Sequence, residues 1–364
     1  MKLKYIFKSL LFFLKLIINP LKIDVLFYYP QHFNRGKKGE NFYIDHLVDT
    51  CKNSNKEILI FEEPDIYTEK IRNDNSIPFD FIYFLIIFLR KLGLKEHQIG
   101  KLMSITLLRN LKFDNVIILS QSLLVFFRHL SRFSKVFDLQ HGIIYSNKEN
   151  YLSKGRVVST LLENNVQFLV YGNKFKETII ANMDNYFKQK VHVIGYYINN
   201  EVTLHQDFNH NILVTLQFTD DHTFDQNNIL IESLIHYFTI NNEYNFFLRD
   251  HPRNVSFDYS RLLEFPNVNH CESINIIDSF KKSSIHLTAY STSTFEASMY
   301  GIPTIFVNPL FNDFNIFDKE YKYPVDKDLR KIILNYKNYS TLVKQWSKGF
   351  YEGYNEKCFL SAIE

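Results

Sequence analysis

The sequence predicts an α/β protein with two Rossmann-like domains. Short apolar segments alternate with helical stretches in two series, and a polar segment at about 197–210 separates the series. The 364 residues also exceed what a single core comfortably holds. Alternating strands and helices indicate mainly parallel sheets covered by helices. We expect the two sheets to face each other across a cleft at the carboxyl ends of their strands. Ligands bind at this place in such folds.

The first series occupies residues 23–197, the predicted N-terminal domain. Its strands are predicted as short apolar runs at 23–29, 57–61, 115–119, 135–139, 167–172 and 191–196. Helices are predicted between them, at about 42–53, 79–92, 96–111 and 121–133.

The second series occupies residues 211–330, the predicted C-terminal domain. Its strands are predicted at 212–217, 245–248, 285–289 and 304–307, and its helices at about 227–240, 274–282 and 292–300. The last segment, 331–364, is predicted to be helical and to pack back on the N-terminal domain.

Composition and charge exclude several classes of protein. Hydrophobic residues make up 46% and charged residues 22%, which is typical of a globular protein. The net charge of +3 is too small for a nucleic-acid partner. Cys51, Cys271 and Cys358 lie far apart without C-x-x-C spacing, so neither a disulfide framework nor a zinc site is predicted. A reducing cytoplasm fits this cysteine usage.

The N-terminal segment, residues 1–22, combines lysines with Phe, Leu and Ile. Its apolar run is too interrupted to span a bilayer, and Lys15 breaks the pattern of a signal peptide. Two interpretations remain open. The segment is either a helix on an anionic membrane surface, at the inner face of the cytoplasmic membrane, or an ordinary amphipathic helix packed on the protein.

Polar residues follow the predicted strand 135–139. Asp138, Gln140, His141 and Gly142 stand at the end of this apolar run. An imidazole titrates near neutral pH and can take a proton from an attacking hydroxyl. Asp138 is the alternative base, or the group that orients the imidazole. Gly142 allows a turn or the close approach of a ligand. The competing interpretation is a strand-end cap with a structural histidine.

A basic loop follows the predicted strand 245–248. Arg249 and Arg253 flank His251 and Pro252. Arginine can bind phosphate in a bidentate manner, and histidine can add a further hydrogen bond. Pro252 favours an extended conformation at His251, which restricts the position of its ring. The loop is therefore a candidate anion site, and a basic surface turn is the competing interpretation.

A hydroxyl-rich loop follows the predicted strand 285–289 and opens a helix. The residues Ser291, Thr292, Ser293 and Thr294 can cap the helix or contact phosphate. Glu296, one turn further on, can accept hydrogen bonds from ribose hydroxyls or form a capping box with Ser293. A well-capped helix without a ligand is the competing interpretation.

The three loops together resemble one superfamily, in both order and spacing. The matching features are Gln140-His141-Gly142, His251-Pro252, and Ser291 to Glu296 followed by Gly301-Ile302-Pro303. They resemble the GT-B glycosyltransferases and glycerophosphotransferases that build bacterial surface polysaccharides. These include capsule β-Kdo transferases, CDP-glycerol glycerophosphotransferases of teichoic acid synthesis and, more distantly, bacterial sialyltransferases. The resemblance covers about residues 110–310, and Phe295-Glu296-Ala297 is closer to the Kdo-transferase pattern.

The resemblance implies roles for these residues. The implied nucleotide-binding residues are Arg249, His251, Pro252, Ser291, Thr292, Ser293, Thr294 and Glu296. His141 or Asp138 is implied as the catalytic base. The sequence departs from the sialyltransferase pattern, because Gln140-His141 stands where that pattern has an acidic pair. The catalytic acid of the Kdo enzymes has no clear match in the first domain.

Further contacts with donor or acceptor are predicted for Gln140, Gly142, Gln217, Thr219, Arg35 and Glu40. Gln217 and Thr219 follow the first strand of the second domain, together with Asp220 and Asp221. Arg35 and Glu40 lie in the polar loop 31–41, which can hold an acceptor glycan or a lipid-linked phosphate. No D-x-D element stands beside an evident sugar site, so we predict no metal and no cofactor. The nucleotide-sugar is a substrate.

The function implied by the resemblance is inverting sugar transfer from a nucleotide-sugar donor to a bacterial surface polysaccharide or lipid-linked glycan. A CMP-activated acidic sugar, such as CMP-Kdo, is favoured by the resemblance. The alternatives are glycerol- or ribitol-phosphate transfer from a CDP-alditol, a UDP-sugar epimerase, and a non-catalytic glycan-binding or assembly protein of the same fold.

Overall fold

The computed structural model describes residues 3–36, 38–65, 71–197, 207–219, 222–251, 257–271, 275–307 and 312–364. The chain divides into two compact units. The first comprises Met1–Tyr197 and Gly353–Glu364, and the second comprises Ile198–Glu352. Each unit is built on a parallel sheet with helices, so the predicted α/β class with two Rossmann-like domains is confirmed.

The strands described in the first unit are β1 (Leu21–Pro30), β2 (Ile58–Glu63), β3 (Ile77–Pro78), β4 (Leu111–Leu119), β5 (Lys135–Leu139), β6 (Leu152–Ser153), β7 (Arg156–Val157), β8 (Gln167–Val170) and β9 (Val191–Val193). Its helices up to residue 197 are α1 (Leu3–Ile18), α2 (Asp45–Asn53), α3 (Asp80–Lys91), α4 (Glu96–Ile105), α5 (Leu124–Leu130), α6 (Ser159–Glu163), α7 (Asn173–Ile180) and α8 (Asn185–Lys188).

The main sheet of the first unit has the strand order β3-β2-β1-β4-β5-β8-β9, and every pair is parallel. Chain order reverses beside β1, which pairs with β2 on one side and β4 on the other. From Val25 to Pro30 every residue of β1 is buried, as expected of a central parallel strand covered on both faces. The hairpin of β6 and β7 is separate from this sheet.

The strands described in the second unit are β10 (Asn211–Thr215), β11 (Asn245–Arg249), β12 (Val268–His270), β13 (Ile285–Thr288) and β14 (Thr304–Phe306). Its helices are α9 (Phe224–Ile240), α10 (Ile276–Lys282), α11 (Ser293–Met299), α12 (Asn312–Lys319), α13 (Leu329–Leu334) and α14 (Tyr336–Ser347). The strand order is β12-β11-β10-β13-β14, again with every pair parallel.

The boundary between α4 and β4 differs from the sequence-based prediction. The helix predicted over 96–111 ends at Ile105, and β4 begins at Leu111. Residues 111–114 are alternately buried and exposed, and Leu111 pairs with Leu21 of β1. This period of two is the pattern of a strand, and pairing with β1 extends the strand beyond the apolar run 115–119.

The predicted C-terminal segment 331–364 divides between the two units. Leu329, Ile332 and Tyr336 lie in the core of the second unit, so residues up to 352 do not return to the first. Only the final residues return, and they form α15 (Glu356–Ile363), which packs on α2 and β9. The Asn115 side-chain amide donates a hydrogen bond of 2.9 Å to the carbonyl of Ile363. Residues 198–206 of the predicted linker lie outside the described residues.

The N-terminal helix α1 packs on the first unit through one face. Phe13 and Leu16 are buried against α3 and β3, and the Phe81 amide donates a hydrogen bond of 3.1 Å to the buried Ser9 hydroxyl. Phe13 also meets the rings of Phe61 and Phe79. Among the described residues, no helix is long and apolar enough to cross a membrane.

An aromatic cluster fixes the position of α11 in the second unit. The ring of Phe295 is fully buried and stacks on Trp346 at 5.3 Å and on Tyr351 at 5.0 Å, measured between ring centroids. Phe350, Phe317 and Tyr321 also contact this ring. Phe295 is therefore an anchor between α11 and the segment that contains α14, and α11 carries the hydroxyl-rich candidate site at its start.

We expect Phe295→Ala to lower the free energy of unfolding by about 3–5 kcal/mol, because it removes a fully buried aromatic ring and leaves a cavity. Urea unfolding followed by tryptophan emission measures this directly, since Trp346 is the single tryptophan of the chain and contacts the ring. The matched control is Phe133→Ala, at a side chain that is 97% exposed. Equal stability of the two variants would contradict the anchoring role.

Candidate functional site

Three neighbouring strands of the second unit end side by side. In the sheet register, Thr215 of β10 is paired with Arg249 of β11 on one side and Thr288 of β13 on the other. The loops that follow these strands begin at Leu216, Asp250 and Ala289. The polar segments predicted from three distant parts of the sequence therefore start at one edge of one sheet.

A buried chain of hydrogen bonds crosses the sheet behind these loops. The Thr304 hydroxyl is 3.0 Å from Nδ1 of His286, and Nε2 of His286 is 2.9 Å from the Thr215 hydroxyl. The Thr215 hydroxyl donates its single proton to Thr288 at 2.9 Å. The hydrogen bond between His286 and Thr215 is therefore donated by Nε2 of His286. Nδ1 is then the acceptor for Thr304.

The chain of hydrogen bonds ends on Gln217, which holds the loop after β13. The Thr288 hydroxyl is 3.4 Å from Oε1 of Gln217, and the same oxygen accepts a hydrogen bond of 2.8 Å from the backbone amide of Tyr290. Gln217 was predicted to contact donor or acceptor. The structure shows its buried carbonyl oxygen positioning the loop that opens the hydroxyl-rich segment.

His286 is a residue that sequence reasoning missed. Burial lowers the pKa of its imidazole from 6.5 to about 3, so the ring is neutral and can act as donor and acceptor at once. A single histidine within the apolar run 285–289 gives little signal alone. Its partners Thr215 and Thr304 become visible only when the register of the three strands is known.

The structure separates the hydroxyl-rich segment into a buried and an accessible part. Ser293 and Thr294 are buried, and the Ser293 hydroxyl is 3.3 Å from Nε2 of His286. These two hydroxyls face the interior of the unit, and their contact with phosphate stays a prediction. Ser291 and Thr292 are only half-buried, so they are the more accessible hydroxyl residues of this segment.

Glu296 does not form the capping box that was considered for it. Helix α11 begins at Ser293, and its N-cap residue Thr292 makes no side-chain cap hydrogen bond. Glu296 is half-buried one turn into the helix. The pKa of Tyr300 is raised to about 12, mainly by burial and to a smaller extent by the nearby charge of Glu296. Gly301 adopts a φ of +71° just after α11, so the Gly301-Ile302-Pro303 match ends the helix.

The basic loop after β11 is held by partners within the unit. Arg249 donates a hydrogen bond of 3.1 Å to the Ser279 hydroxyl of α10. Asp250 accepts a hydrogen bond of 2.7 Å from the Tyr259 hydroxyl, and its carboxylate lies 3.3 Å from Nε2 of His270. His251 is half-buried directly after these residues. Pro252 and Arg253 of the predicted anion site lie outside the described residues.

The loop after β10 contributes a histidine that the sequence analysis did not single out. His222 makes a ring–hydroxyl hydrogen bond with Tyr290 through its Nε2, and the His222 amide donates 3.2 Å to the carbonyl of Thr219. Thr219, a predicted contact residue, is buried. Asp220 and Asp221 lie outside the described residues. The loops after β10 and β13 are thus joined through His222 and Tyr290.

Asp138, one of the two candidate bases, is buried in the first unit beside Gln121 and Tyr151. The Gln121 side-chain amide donates 3.2 Å to Oδ2 of Asp138. Burial raises the pKa of Asp138 from 3.8 to about 7, against hydrogen bonds from Gln121 and Tyr151 that lower it. A carboxyl with this pKa exchanges a proton near neutral pH, which suits acid–base chemistry.

The loop after β4 has a strained backbone that sequence reasoning did not predict. Ser120, Gln121 and Leu123 have φ values of +65°, +59° and +52° without being glycines. Such values are costly for these residues and persist only when the surrounding structure imposes them. The loop places Gln121 on Asp138, and it places the Ser122 hydroxyl on the carboxylate of Glu63.

Glu63, at the end of β2, is a second buried carboxyl at the same edge of this sheet. Its Oε2 also accepts a hydrogen bond of 2.6 Å from the Tyr28 hydroxyl. Burial raises the pKa of Glu63, while the hydrogen bonds from Ser122 and Tyr28 lower it. The strand ends of β2 and β5 therefore carry three carboxyls with raised pKa values, Glu62, Glu63 and Asp138, of which the sequence analysis identified only Asp138.

In the Gln140-His141-Gly142 segment, Gln140 is held by hydrogen bonds, whereas His141 and Gly142 are partly exposed. Gln140 is buried; its amide nitrogen donates 2.9 Å to the Gly142 carbonyl, and its Oε1 accepts 2.9 Å from the Tyr171 amide. His141 is half-buried, with its ring 5.9 Å from Phe33. A Cβ placed on Gly142 would meet nothing within 4 Å, so there is room beside this backbone for a ligand.

The loop 31–41 is ordered by its own contacts. The Arg35 guanidinium donates hydrogen bonds of 2.6 Å to the His32 carbonyl and 2.8 Å to the Asn34 carbonyl. The Glu40 carboxylate accepts a hydrogen bond of 3.0 Å from the Lys38 amide. Lys37 lies outside the described residues. A cavity of about 410 Å³ borders the loop and is lined by Lys38, Glu40, Asp45, Val48, Asp49, Lys52, Ile60, Asn73, Asp74 and Asn75. This polar cavity is large enough for a sugar-sized ligand.

In the ranges that the structure describes, no group of three or more His, Cys, Asp or Glu side chains is arranged to hold a metal ion. The expectation that the protein needs neither metal nor cofactor stays a prediction.

Comparison with known proteins identifies the fold. No protein-family model matches the chain, and no curated protein matches its sequence. The wall teichoic acid polymerase TagF has a TM-score of 0.53 at 13% identity, covering 100% of this chain and 97% of that chain. S. aureus MnaA in complex with UDP has a TM-score of 0.57 at 10% identity, covering 92% and 94%.

A further solved structure is UDP-GlcNAc 2-epimerase from Neisseria meningitidis bound to UDP-GlcNAc. Its TM-score is 0.53 at 12% identity, and the alignment covers 94% of this chain and 99% of that chain. Identities this low establish a shared fold only. The two-domain GT-B fold class is therefore confirmed, whereas membership of the Kdo-transferase or glycerophosphotransferase group stays a prediction.

We expect Asp138 to make a contribution to stability that falls between pH 5 and pH 7, because this carboxyl must lose its proton. The raised pKa means that the folded state holds a proton that the unfolded state has released, so this contribution is complete below pH 4 and is lost as the pH rises through about 7. One such group changes the free energy of unfolding by up to about 1.4 kcal/mol per pH unit.

The measurement is urea unfolding at several pH values for Asp138→Asn and for the control Asp114→Asn, at an exposed carboxyl. The free energy of unfolding of Asp138→Asn should lack this falling contribution, so its difference from the wild type should change with pH, whereas Asp114→Asn should run parallel to the wild type. Parallel curves for wild type and both variants would show that Asp138 is already ionised in the folded protein at pH 5.

Proposed function

We propose that this protein is an inverting glycosyltransferase. It moves a sugar from a nucleotide-activated donor, with a CMP-activated acidic sugar favoured, to a bacterial surface polysaccharide or lipid-linked glycan. The observation that carries the proposal is that the loops after β11 and β13, which hold two of the three motifs of the resemblance, start beside the loop after β10 at one edge of the second sheet. Solved structures with the same fold hold UDP or UDP-GlcNAc, which supports a nucleotide site.

The proposed nucleotide site lies at the ends of β10, β11 and β13. Arg249 and His251 supply donors for the phosphate, with Ser291 and Thr292 as further hydroxyl contacts. Glu296 is positioned one turn along α11 to accept hydrogen bonds from ribose hydroxyls. The buried chain from Thr304 to Gln217 fixes the loop at Tyr290 before the ligand arrives, so less ordering is required on binding. Stabilising the leaving phosphate is the main task of such a site.

The proposed transfer forms one bond and breaks one. The acceptor hydroxyl oxygen bonds to the anomeric carbon, the bond from that carbon to the donor phosphate oxygen breaks, and the nucleotide leaves with the bonding electrons. The acceptor proton goes to a base in the first unit. His141 is the better candidate, because its ring is half-buried whereas Asp138 is fully enclosed. Asp138 and Glu63 then influence the charge around the base.

Transfer of an alditol phosphate is the second candidate, and the TagF likeness favours it, since it spans the full length of this chain. In that case the acceptor oxygen attacks the β-phosphorus of a CDP-alditol, and CMP leaves. Incubation with CMP-Kdo, CDP-glycerol and UDP-GlcNAc separates the candidates, with nucleotide release and the mass of the acceptor product as readouts. Epimerised UDP-GlcNAc would indicate an epimerase, and no reaction with intact nucleotide binding would indicate a non-catalytic protein.

Nucleotide binding should stabilise the protein. At a concentration one hundred times its dissociation constant, a ligand adds about 2.7 kcal/mol to the free energy of unfolding. We expect thermal unfolding with CMP, CDP, UDP and GDP to show this for cytidine nucleotides, and we expect His251→Ala to reduce it. His236→Ala, at an exposed histidine of α9, is the matched control. A flat response of the wild type to all four nucleotides would refute the site.

Removing the proposed base should slow transfer while leaving nucleotide binding intact. We expect His141→Ala to lower kcat by roughly 10²–10⁴-fold, the usual contribution of a general base. The thermal shift with nucleotide should be unchanged, because the residue lies in the other unit from the nucleotide loops. If Asp138→Asn abolished transfer and His141→Ala did not, the base would be assigned to Asp138.

A further inference from the structure

The N-terminal helix α1 has an exposed apolar stripe opposite the face that packs on the protein. The side chains of the stripe follow one another at spacings of four, four, three and four residues, which places them on one side of a helix. They are Leu3, Phe7, Leu11, Leu14 and Ile18, with 77%, 62%, 44%, 47% and 79% of their surface exposed. The core of the first unit already holds the opposite face through Ser9, Phe13 and Leu16.

A row of lysines runs beside the apolar stripe. Lys4, Lys8 and Lys15 are exposed and, at 100° per residue, lie together next to the stripe and away from the packed face. Helix α1 contains no acidic residue from Leu3 to Ile18. The exposed side of the helix is thus divided into an apolar strip and a positively charged strip.

The neighbouring helices also carry exposed apolar side chains. Helix α1 packs on α3, and α3 contacts α4. Phe88 of α3, Leu92 directly after it and Ile105 at the end of α4 are also more than half exposed. Arg90, Lys91 and Lys95 follow in the same region, where Arg90 pairs with Glu96. An exposed apolar surface rimmed by basic side chains marks an interaction site rather than ordinary protein surface.

We propose that this surface, the α1 stripe with its lysine row, binds the headgroup region of an anionic lipid bilayer. The charge pattern selects this partner, because the apolar strip enters the boundary of the acyl chains while the lysines contact anionic headgroups. A helix of 16 residues is about 24 Å long, and its packed face ties it to the protein, so it lies in the plane of the bilayer. Such a surface would bring the protein to a lipid-linked acceptor.

The experiment is co-sedimentation of the full chain with vesicles of phosphatidylcholine alone or with 30% phosphatidylglycerol. We expect binding to the anionic vesicles that weakens with salt. The variant Phe7→Gln/Leu11→Gln/Leu14→Gln should lose binding to them. The variant Lys4→Gln/Lys8→Gln/Lys15→Gln should bind them on the order of 100-fold more weakly, since each lysine near an anionic surface contributes a factor of about 5. Glutamine favours helix, so α1 should remain folded.

Matched controls change the same residue types elsewhere. Phe133→Gln, at a more exposed phenylalanine, and Lys52→Gln/Lys112→Gln/Lys154→Gln, at exposed lysines of the same unit, should bind as the wild type does. In a Phe7→Trp variant, tryptophan emission should shift to shorter wavelength with anionic vesicles, whereas the enclosed Trp346 should not respond.

Two results would overturn the proposal. Equal binding of the wild type and the stripe variant would assign lipid contact to another surface. A wild-type dimer in light scattering that becomes monomeric in the stripe variant, with no vesicle binding by either, would assign the stripe to a second copy of the chain. The proposal goes beyond the proposed transfer reaction, and vesicle binding is measured without donor or acceptor. Its failure is therefore distinct from a failure of the nucleotide site.

Discussion

Parallel strand pairing is the constraint on which both candidate sites depend. Every pair in the two main sheets is parallel, so all strands of a sheet end at the same edge. The loops that contain Gln217 and Tyr290, and the loop that follows Arg249, are distant in sequence but therefore start beside one another. The apolar strands supply the stability of each unit, and the polar residues just beyond them are left to serve binding or chemistry.

The buried polar groups behind these edges have a cost that only complete hydrogen bonding offsets. His286 is enclosed and neutral, and it is tolerated because both ring nitrogens have hydroxyl partners on neighbouring strands. In the first unit, Glu63 accepts hydrogen bonds from Tyr28 and Ser122, whereas Asp138 accepts one from Gln121 at Oδ2 and its buried Oδ1 has no hydrogen-bond partner among the described residues. Burial raises the pKa of both carboxyls, and the pKa of Asp138, at about 7, makes this group sensitive to pH near neutrality.

Helix α1 shows how one amphipathic sequence can satisfy two environments. One face of the helix, formed by Ser9, Phe13 and Leu16, is buried where α1 packs on α3, as in an ordinary surface helix. The five residues of the stripe keep between 44% and 79% of their surface exposed to solvent. The two interpretations of residues 1–22 are therefore compatible, because packing and lipid contact use opposite sides of the helix.

The sequence by itself determined the fold class, since apolar runs such as 135–139 reproduce the period and length of buried strands. It also located the loops around His141, His251 and Ser291, because turn and polar residues follow those runs directly. It could not find β12, which has only three residues, or the point within 331–364 at which the chain returns to the first unit. Tertiary structure alone decided that Ser293 and Thr294 face inward, that His286 completes a hydrogen-bond chain, and that Asp138 titrates near neutrality. Burial and register between distant strands set those properties, and neither is encoded in local sequence.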